Sequence, residues 1–189
     1  MIAKIIHSFS PIHESWKALP HFAYINWEEK EVEALLEKHY PSYFAELKNM
    51  NYYLKKDFVK FIILNRFGGM FVNHSLELKK DIYPKLHPMK INVLEKYLNH
   101  SVVLDDSLIA VERNYKGMMI FADEIINNNK FENITKENQN TFNGHGLCSQ
   151  YLSRGNKDFF ILPHYQFNVK KNQLHLYNEK EIFIVNNYE

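Results

Sequence analysis

The segment with the clearest chemical potential runs from an acidic side chain in an apolar stretch to two small polar ones. Asp57 and Lys60 stand three residues apart where apolar residues recur at three and four, so a helix places them one turn apart. Gly68-Gly69 follows, and then Asn73 and Ser75 at alternate positions. On a strand, alternate side chains point to one side and can face a common ligand. The plainer interpretation is an exposed Asp57–Lys60 pair, which stabilises a helix by about 0.3–0.5 kcal/mol.

Three other places carry residues that suit a binding site. Asp105-Asp106 stands between two apolar runs, where it either forms a solvated turn or supplies carboxylates to a ligand or metal site. His7 closes the first apolar run, followed by Phe9, and is either a structural histidine or a nucleotide contact. His145 lies between two glycines, where the backbone can approach a phosphate and the imidazole can bind an anion.

Composition and missing motifs exclude several classes of protein. Lys and Arg total 23 against 22 for Asp and Glu, so no overall field recruits nucleic acid. The single Cys148 excludes a disulfide framework and a cysteine-based zinc cluster. The sequence has no His-Glu-x-x-His, Gly-x-Ser-x-Gly or Gly-Lys-Ser/Thr phosphate-loop motif. No apolar run reaches the ~20 residues that span a bilayer, and the first residues do not form a signal peptide, so we expect a cytoplasmic protein.

The elements that must position these residues alternate between strand and helix. Helices are predicted over 28–38, 52–66, 118–126 and 147–152, and the double glycine ends the second of them. Strands are predicted over 3–9, 22–26, 70–73, 101–104, 108–112, 159–162, 174–177 and 182–186. This order predicts one α/β domain over 1–189, with a mostly parallel central sheet flanked by helices. Ligands bind such sheets beyond the carboxyl ends of the strands, where His7, Asn73 and Asp105-Asp106 are predicted.

The segment from Lys56 to Ser75 resembles a known family. It reads KDFVKFIILNRFGGMFVNHS, which is similar to the core of the glycosyltransferases with a DXD sugar-binding motif, the group of fungal initiating α-1,6-mannosyltransferases and many capsule-type enzymes. Their pattern is an Asp, an Arg three residues later, an apolar helix ending in Gly-Gly, an aromatic strand and Asp-X-Asp. Weaker similarities follow in order along the chain: Lys4–His7, Trp27, Thr141–Gly146, Leu162-Pro163 and Ile184–Tyr188.

The resemblance implies a GT-A type fold that binds a nucleotide diphosphate-sugar. Residues 1–78 would hold the nucleotide-sugar and residues 79–189 the acceptor. Asp57 would grip the sugar hydroxyls, with Lys60 in support, while His7 and Phe9 lie near the nucleotide. The remaining donor-binding residues that it implies are Gly68, Gly69, Asn73, Ser75, His145 and Asn186. Asp57, Asp105 and Asp106 are the candidates for catalytic roles.

The sequence departs from that pattern at the metal-binding positions. The two acidic residues are replaced by Asn73 and Ser75, the usual Arg is Lys60, and the usual C-terminal His is Asn186 or Asn187. Neutral oxygens bind a hard divalent cation far more weakly than carboxylates do. We therefore expect no certain metal site, with Mn²⁺ or Mg²⁺ bound weakly if at all.

Three functions stay open at this point, one of which, a plain nucleotide-binding α/β protein unrelated to sugar transfer, requires the family resemblance to be accidental. The first is a hexosyltransferase that moves a sugar from a nucleotide diphosphate-sugar to a glycan or glycoprotein acceptor, with retention and weak or no metal dependence. The second is a catalytically silent glycosyltransferase-like binding module. Asp57, His7 and the double glycine favour the enzyme, whereas the absent acidic pair favours the silent module.

Overall fold

A computed structural model describes residues 1–98, 101–129, 135, 144–153 and 157–187 of the chain. The strands are β1 (Ile5–Ser8), β2 (Ala23–Asn26), β3 (Gly69–Val72), β4 (Leu76–Leu78), β5 (Ile91–Leu98), β6 (Ser101–Val111), β7 (Phe159–Leu162), β8 (Val169–Lys170) and β9 (Ile184–Asn186). The helices are α1 (Glu14–Lys17), α2 (Glu29–His39), α3 (Pro41–Lys48), α4 (Tyr52–Phe67), α5 (Lys116–Asn128), α6 (Gly144–Ser153) and α7 (His164–Phe167).

The central sheet has the strand order β2-β1-β3-β6-β5-β7. β1 is parallel to both β2 and β3, and β5 is parallel to β7, whereas β6 runs antiparallel to both of its neighbours. Five strands therefore share one direction, which confirms the predicted mostly parallel α/β sheet. A second, smaller sheet has the order β4-β9-β8.

Both faces of the central sheet are buried, because successive residues of its strands enter different apolar clusters. Phe71 packs in one cluster with α2 to α6, while its neighbours Met70 and Val72 pack in the other. That second cluster contains Trp16 of α1, Phe167 of α7 and the apolar residues of the small sheet. The longer helices therefore cover one face, and short helices and the small sheet cover the other. No helix in the described ranges is long and apolar enough to cross a membrane.

Helix α4 lies at the centre of the larger cluster and ends at the double glycine. Phe58, Phe61 and Ile62 are completely buried in it. Gly68 and Gly69 have φ angles of +66° and +91°, which L side chains rarely adopt. The chain therefore stops its helix here and enters β3 directly, as the sequence predicts.

Two strand predictions differ from the structure. The predicted strands 101–104 and 108–112 are one strand, β6, so the turn expected at Asp105-Asp106 is wrong. Val93 of β5 pairs with Ile109, while the next residue, Leu94, pairs with Asp105, so β6 bulges between the two positions. The strand predicted over 174–177 is also wrong, because a 3₁₀ helix covers Lys171–Leu176. The structure also contains strand β5, which the sequence does not predict because its polar residues interrupt the alternation of apolar and polar residues.

Candidate functional site

A cavity of about 420 Å³ opens at the carboxyl ends of β1 and β3. Its wall combines the segment after β1, the segment after β3, the amino-terminal half of α4, the bulge of β6 and the end of β9. Three lysines and three aspartates line it, so its formal charges balance. Of the candidates from the sequence, it brings together Phe9, Asp57, Lys60, Asn73, Ser75, Asp105, Asp106 and Asn186.

Asp57, Lys60 and Asp106 form an ion-paired cluster on this wall, in which Lys60 is buried and the two aspartates are half-buried. The Lys60 Nζ lies 2.8 Å from Asp57 Oδ1 and 2.7 Å from Asp106 Oδ2. It also lies 3.3 Å from the Asp106 backbone oxygen. Burial by itself lowers the pKa of Lys60, but the charges of Asp106 and Asp57 outweigh it and raise that pKa well above its usual range. Lys60 is therefore a permanent cation, and its three N–H donors face three protein oxygens.

The Asn73–Ser75 segment is a turn between β3 and β4. Asn73 Oδ1 accepts a hydrogen bond of 3.1 Å from the Ser75 backbone N–H, and the Asn73 N–H donates to the Ser107 carbonyl at 2.7 Å. Ser75 Oγ is buried and has no hydrogen-bond partner among the described residues. Because a turn has no alternation, exposed His74 lines the same cavity as its neighbours.

Asp105 holds the far wall of the cavity together. Its Oδ1 accepts from the Ser107 N–H at 3.0 Å, and its Oδ2 accepts from Asn168 Nδ2 at 2.9 Å. Asn168 Oδ1 in turn accepts from Asn186 Nδ2 at 3.0 Å. This buried chain joins the bulge of β6 to the end of β9, so both oxygens of Asp105 are hydrogen-bonded within the fold.

His7 is completely buried outside the cavity wall. Trp27 Nε1–H donates to its Nδ1 at 3.1 Å, so Nε2 carries the proton and donates to the Gly68 carbonyl at 2.9 Å. Burial lowers the pKa of His7 to about 4, against a smaller opposing effect of the Gly68 hydrogen bond. Both ring nitrogens are bonded inside the fold, which favours the structural interpretation of this histidine.

The remaining candidates either lie away from the cavity or lie outside the described residues. A Cβ on Gly69 would collide with the Ile5 carbonyl oxygen, and one on Gly68 would meet the Arg113 backbone. Both glycines therefore serve the packing of the strand. Residues 141–143, part of the predicted acceptor loop, lie outside the described residues. The backbone of His145 belongs to α6, and its side chain lies outside the described part of the chain.

Several cavity residues were not predicted from the sequence, among them Lys56, Lys96 and Ser107. Lys56 precedes Asp57 on the exposed side of α4, and half-buried Lys96 comes from β5. Neither forms an ion pair within the described residues. The position of Lys56 beside Asp57 was a usable signal, but Lys96 gave none because its strand was not predicted.

The donor set of this cavity does not fit a divalent cation. An amide and a hydroxyl stand at the two positions where the resemblance expects carboxylates. The carboxylates of Asp57 and Asp106 both face the Lys60 ammonium. Among the described residues, no group of three His, Cys, Asp or Glu side chains is arranged to hold a metal ion.

The chain has a mixed α/β fold, with one antiparallel strand among parallel ones in the central sheet and a cavity at the carboxyl ends of β1 and β3. Two solved structures share it. One is the PaToxG glycosyltransferase, at 20% identity and a TM-score of 0.54, covering 82% of this chain and 70% of that one. The other is a glycosyltransferase involved in the glycosylation of the major capsid of PBCV-1, at 10% identity and a TM-score of 0.50, covering 96% and 91%. At these identities the likeness shows the fold.

No protein-family model and no curated protein matches the chain. The cavity is therefore the main indication of function.

Proposed function

We propose that this protein transfers a hexose from a nucleotide diphosphate-sugar to a glycan or other hydroxyl acceptor. The proposal includes retention of the anomeric configuration and weak or no dependence on a metal. The observation that carries it is the cavity at the carboxyl ends of β1 and β3, whose wall contains Asp57, Lys56 and Lys96. Neither of these two lysines forms an ion pair among the described residues, whereas Asp57 pairs with Lys60. The two solved glycosyltransferases with this fold support the reaction class.

Asp57 is the residue we assign to the sugar. Its carboxylate lies on the cavity wall, with Oδ1 held 2.8 Å from the Lys60 ammonium. A carboxylate offers several acceptor positions, so one that is oriented by a lysine can also accept hydrogen bonds from sugar hydroxyls. Lys60 acts through Asp57 in this arrangement, because its own donors are directed at protein oxygens.

Lys56 and Lys96 are the residues we assign to the diphosphate. Departure of the nucleoside diphosphate builds negative charge on its oxygens, and nearby cations stabilise that charge. In many transferases a divalent cation has this task. Here two ammonium groups from α4 and β5 line the cavity, so charge neutralisation falls to side chains.

The first experiment is a calorimetric titration of the protein with UDP-sugars and GDP-sugars, with Mn²⁺ and then with EDTA. We expect binding that survives EDTA, since the cations belong to the protein. Binding only with Mn²⁺ would contradict the metal independence, and no binding in either condition would contradict the donor site.

Variants of Lys56 and Lys96 then test whether these two lysines bind the diphosphate. We expect Lys56→Met and Lys96→Met each to weaken donor binding about tenfold, the equivalent of ~1.4 kcal/mol, as the loss of one charged hydrogen bond predicts. Lys30→Met and Lys38→Met on α2 are the matched controls, because both lysines are exposed and neither lines the cavity. Equal affinities in all four variants would remove Lys56 and Lys96 from the site.

A silent binding module is the second candidate, and the neutral Asn73–Ser75 turn favours it. In that case the donor binds but is neither transferred nor hydrolysed. The combined variant Asn73→Asp and Ser75→Asp tests this candidate. A gain of Mn²⁺-dependent hydrolysis of the sugar nucleotide would show that the rest of the site is competent, whereas binding without turnover would favour the module.

A further inference from the structure

A second cavity, of about 340 Å³, lies at the opposite end of the central sheet. Its wall includes Ile91 at the start of β5, Glu112 directly after β6 and Asp158 directly before β7. The end of β6 pairs with the start of β3, whereas the first cavity opens where β3 ends, so the length of the sheet separates the two. Among the described residues they share no lining residue. The volume lies within the ~300–1,000 Å³ of small-molecule sites.

The aromatic ring of Tyr115 is fixed in this second cavity. A Cβ on Gly117 would lie 2.8 Å from Tyr115 Cε1 and 3.4 Å from Ile91 Cδ1, so the ring lies against the first turn of α5. The backbone beside the ring is anchored to α4. The Asn114 N–H donates to the Asn65 carbonyl at 2.7 Å, and Asn65 Nδ2 donates to the Tyr115 carbonyl at 3.2 Å. A ring that is already positioned loses little freedom when a ligand packs on it.

Hydrogen-bond donors and acceptors both surround this ring. Burial raises the pKa of Tyr115, and the charges of Asp158 and Glu112 raise it further, so the hydroxyl stays protonated and can donate. The two carboxylates are acceptors. On the same wall, the Lys116 ammonium is a donor and the Asn114 amide is both donor and acceptor.

This combination suits a neutral ligand with several hydroxyl groups. An anion would be repelled by Glu112 and Asp158, and a cation would be repelled by Lys116. A sugar ring carries hydroxyls, which both donate and accept, around an apolar face of C–H groups. The hydroxyls match the mixed polar groups of the wall. The C–H face matches the Tyr115 ring and the side chain of Ile120, which is 47% exposed although it is apolar.

We propose that this second cavity binds a hexose unit of a neutral glycan, with the Tyr115 ring as its platform. Because the sheet separates it from the first cavity, it holds a glycan chain and takes no part in the transfer itself. A glycan is also the acceptor class of the proposed function, and the inference rests on that function for its biological role. Its test uses methyl hexosides without a sugar nucleotide, so that the two proposals can fail separately.

The first test is a titration of the ¹⁵N-labelled protein followed by its amide chemical shifts. The probes are methyl α-D-glucoside, methyl α-D-mannoside and methyl α-D-galactoside. We expect at least one of them to bind with a Kd below about 10 mM and to shift the amides of residues 112–121. No binding of any probe in this range would overturn the proposal. Shifts confined to residues 56–60 and 73–75 would overturn it as well, because they would place the probe in the first cavity.

The decisive variant is Tyr115→Ala, which removes the platform and should weaken hexoside binding at least about tenfold. Tyr165→Ala is the matched control, because Tyr165 is an exposed tyrosine that lines neither cavity. It should bind the hexoside as the native chain does. Equal affinities in the two variants would overturn the proposal. If Tyr115→Ala does not fold, Tyr115→Leu carries the same test, because leucine keeps apolar volume at this position but has no flat ring.

Charged probes test the chemical class of the ligand. Methylammonium chloride and sodium phosphate are titrated separately against the same amides, at the concentrations used for the hexosides. Both should bind more weakly than the best hexoside, because each meets a like charge on the wall. Tighter binding of either ion at residues 112–121 would overturn the assignment to a neutral sugar.

Discussion

Two of the polar clusters in the described part of the chain differ in what their polar atoms face. In the first, His7 bonds to Trp27 and to the Gly68 carbonyl, and Gly69 packs against Ile5 with no room for a side chain. In the second, Lys60 joins carboxylates from two elements on the wall of an open cavity. The first cluster is closed on itself, whereas the second borders space for a ligand.

The difference distinguishes residues that stabilise the fold from residues that can bind a ligand. A buried histidine with both nitrogens bonded has no donor or acceptor left for a substrate. A carboxylate on a cavity wall has acceptor positions for one. Changes in the first cluster should therefore lower the free energy of unfolding, and changes in the second should lower donor affinity.

The largest effect should come from Gly69→Ala. The new methyl group would collide with the Ile5 carbonyl oxygen, at a φ of +91° that alanine rarely adopts. We expect the free energy of unfolding to fall by about 4 kcal/mol, from backbone strain and displacement of β1 from β3. Urea denaturation measures it. Gly117→Ala, at a helical position with an ordinary φ, should cost less, because its new methyl group would meet the Tyr115 side chain at 2.8 Å and a side chain shifts more easily than the Ile5 backbone. Similar losses in the two variants would contradict the special role of Gly69.

The next effect is a dependence of stability on pH through His7. Its pKa is lowered to about 4 in the folded chain, whereas an unfolded chain protonates it near the ordinary value of 6.5. Between these values the unfolded state binds more protons, so the contribution of His7 is complete above pH 6.5 and is lost as the pH falls towards 4. The expected loss is about 3 kcal/mol, because each pKa unit corresponds to ~1.4 kcal/mol.

The variant His7→Gln isolates this contribution from that of the carboxylates. The free energy of unfolding of this variant, measured by urea denaturation, should depend less on pH than that of the native chain over the same range. Its affinity for the donor should stay unchanged. Parallel profiles would show that His7 does not titrate as its burial indicates. A loss of donor binding would move His7 from the closed cluster to the ligand site.

The smallest effect on the fold should come from Asp57→Asn, which acts on the cavity cluster. The amide oxygen can still accept from Lys60, and Asp106 stays at 2.7 Å from the ammonium, so the free energy of unfolding should fall by only about 1.5–2 kcal/mol. Donor affinity should fall about tenfold, because a neutral amide binds hydroxyls more weakly than a carboxylate. Calorimetry checks the affinity and urea denaturation checks the stability. A large stability loss with unchanged affinity would erase the distinction between the clusters.

Local pattern accounts for much of the fold. The apolar repeat of α4 and the double glycine after it fix a helix, a stop and a strand, because each depends on neighbours within a few residues. The same reasoning failed at β6, where Asp105-Asp106 reads as a turn. The bulge arises from the pairing of β6 with β5, and the sequence of β6 alone does not specify which strand it pairs with or in which register.

The sequence by itself determined the α/β class, the helix that carries Asp57 and Lys60, and the neutral Asn73 and Ser75 at the expected metal positions. The first two follow from residue type and short-range spacing, and the third follows from the resemblance of residues 56–75 to a known family. Only the tertiary structure decided that Asp106 meets Lys60, that Lys96 reaches the cavity, and that His7 turns inward. These contacts join elements far apart along the chain, and their geometry is set by sheet order and register, which residue spacing does not encode.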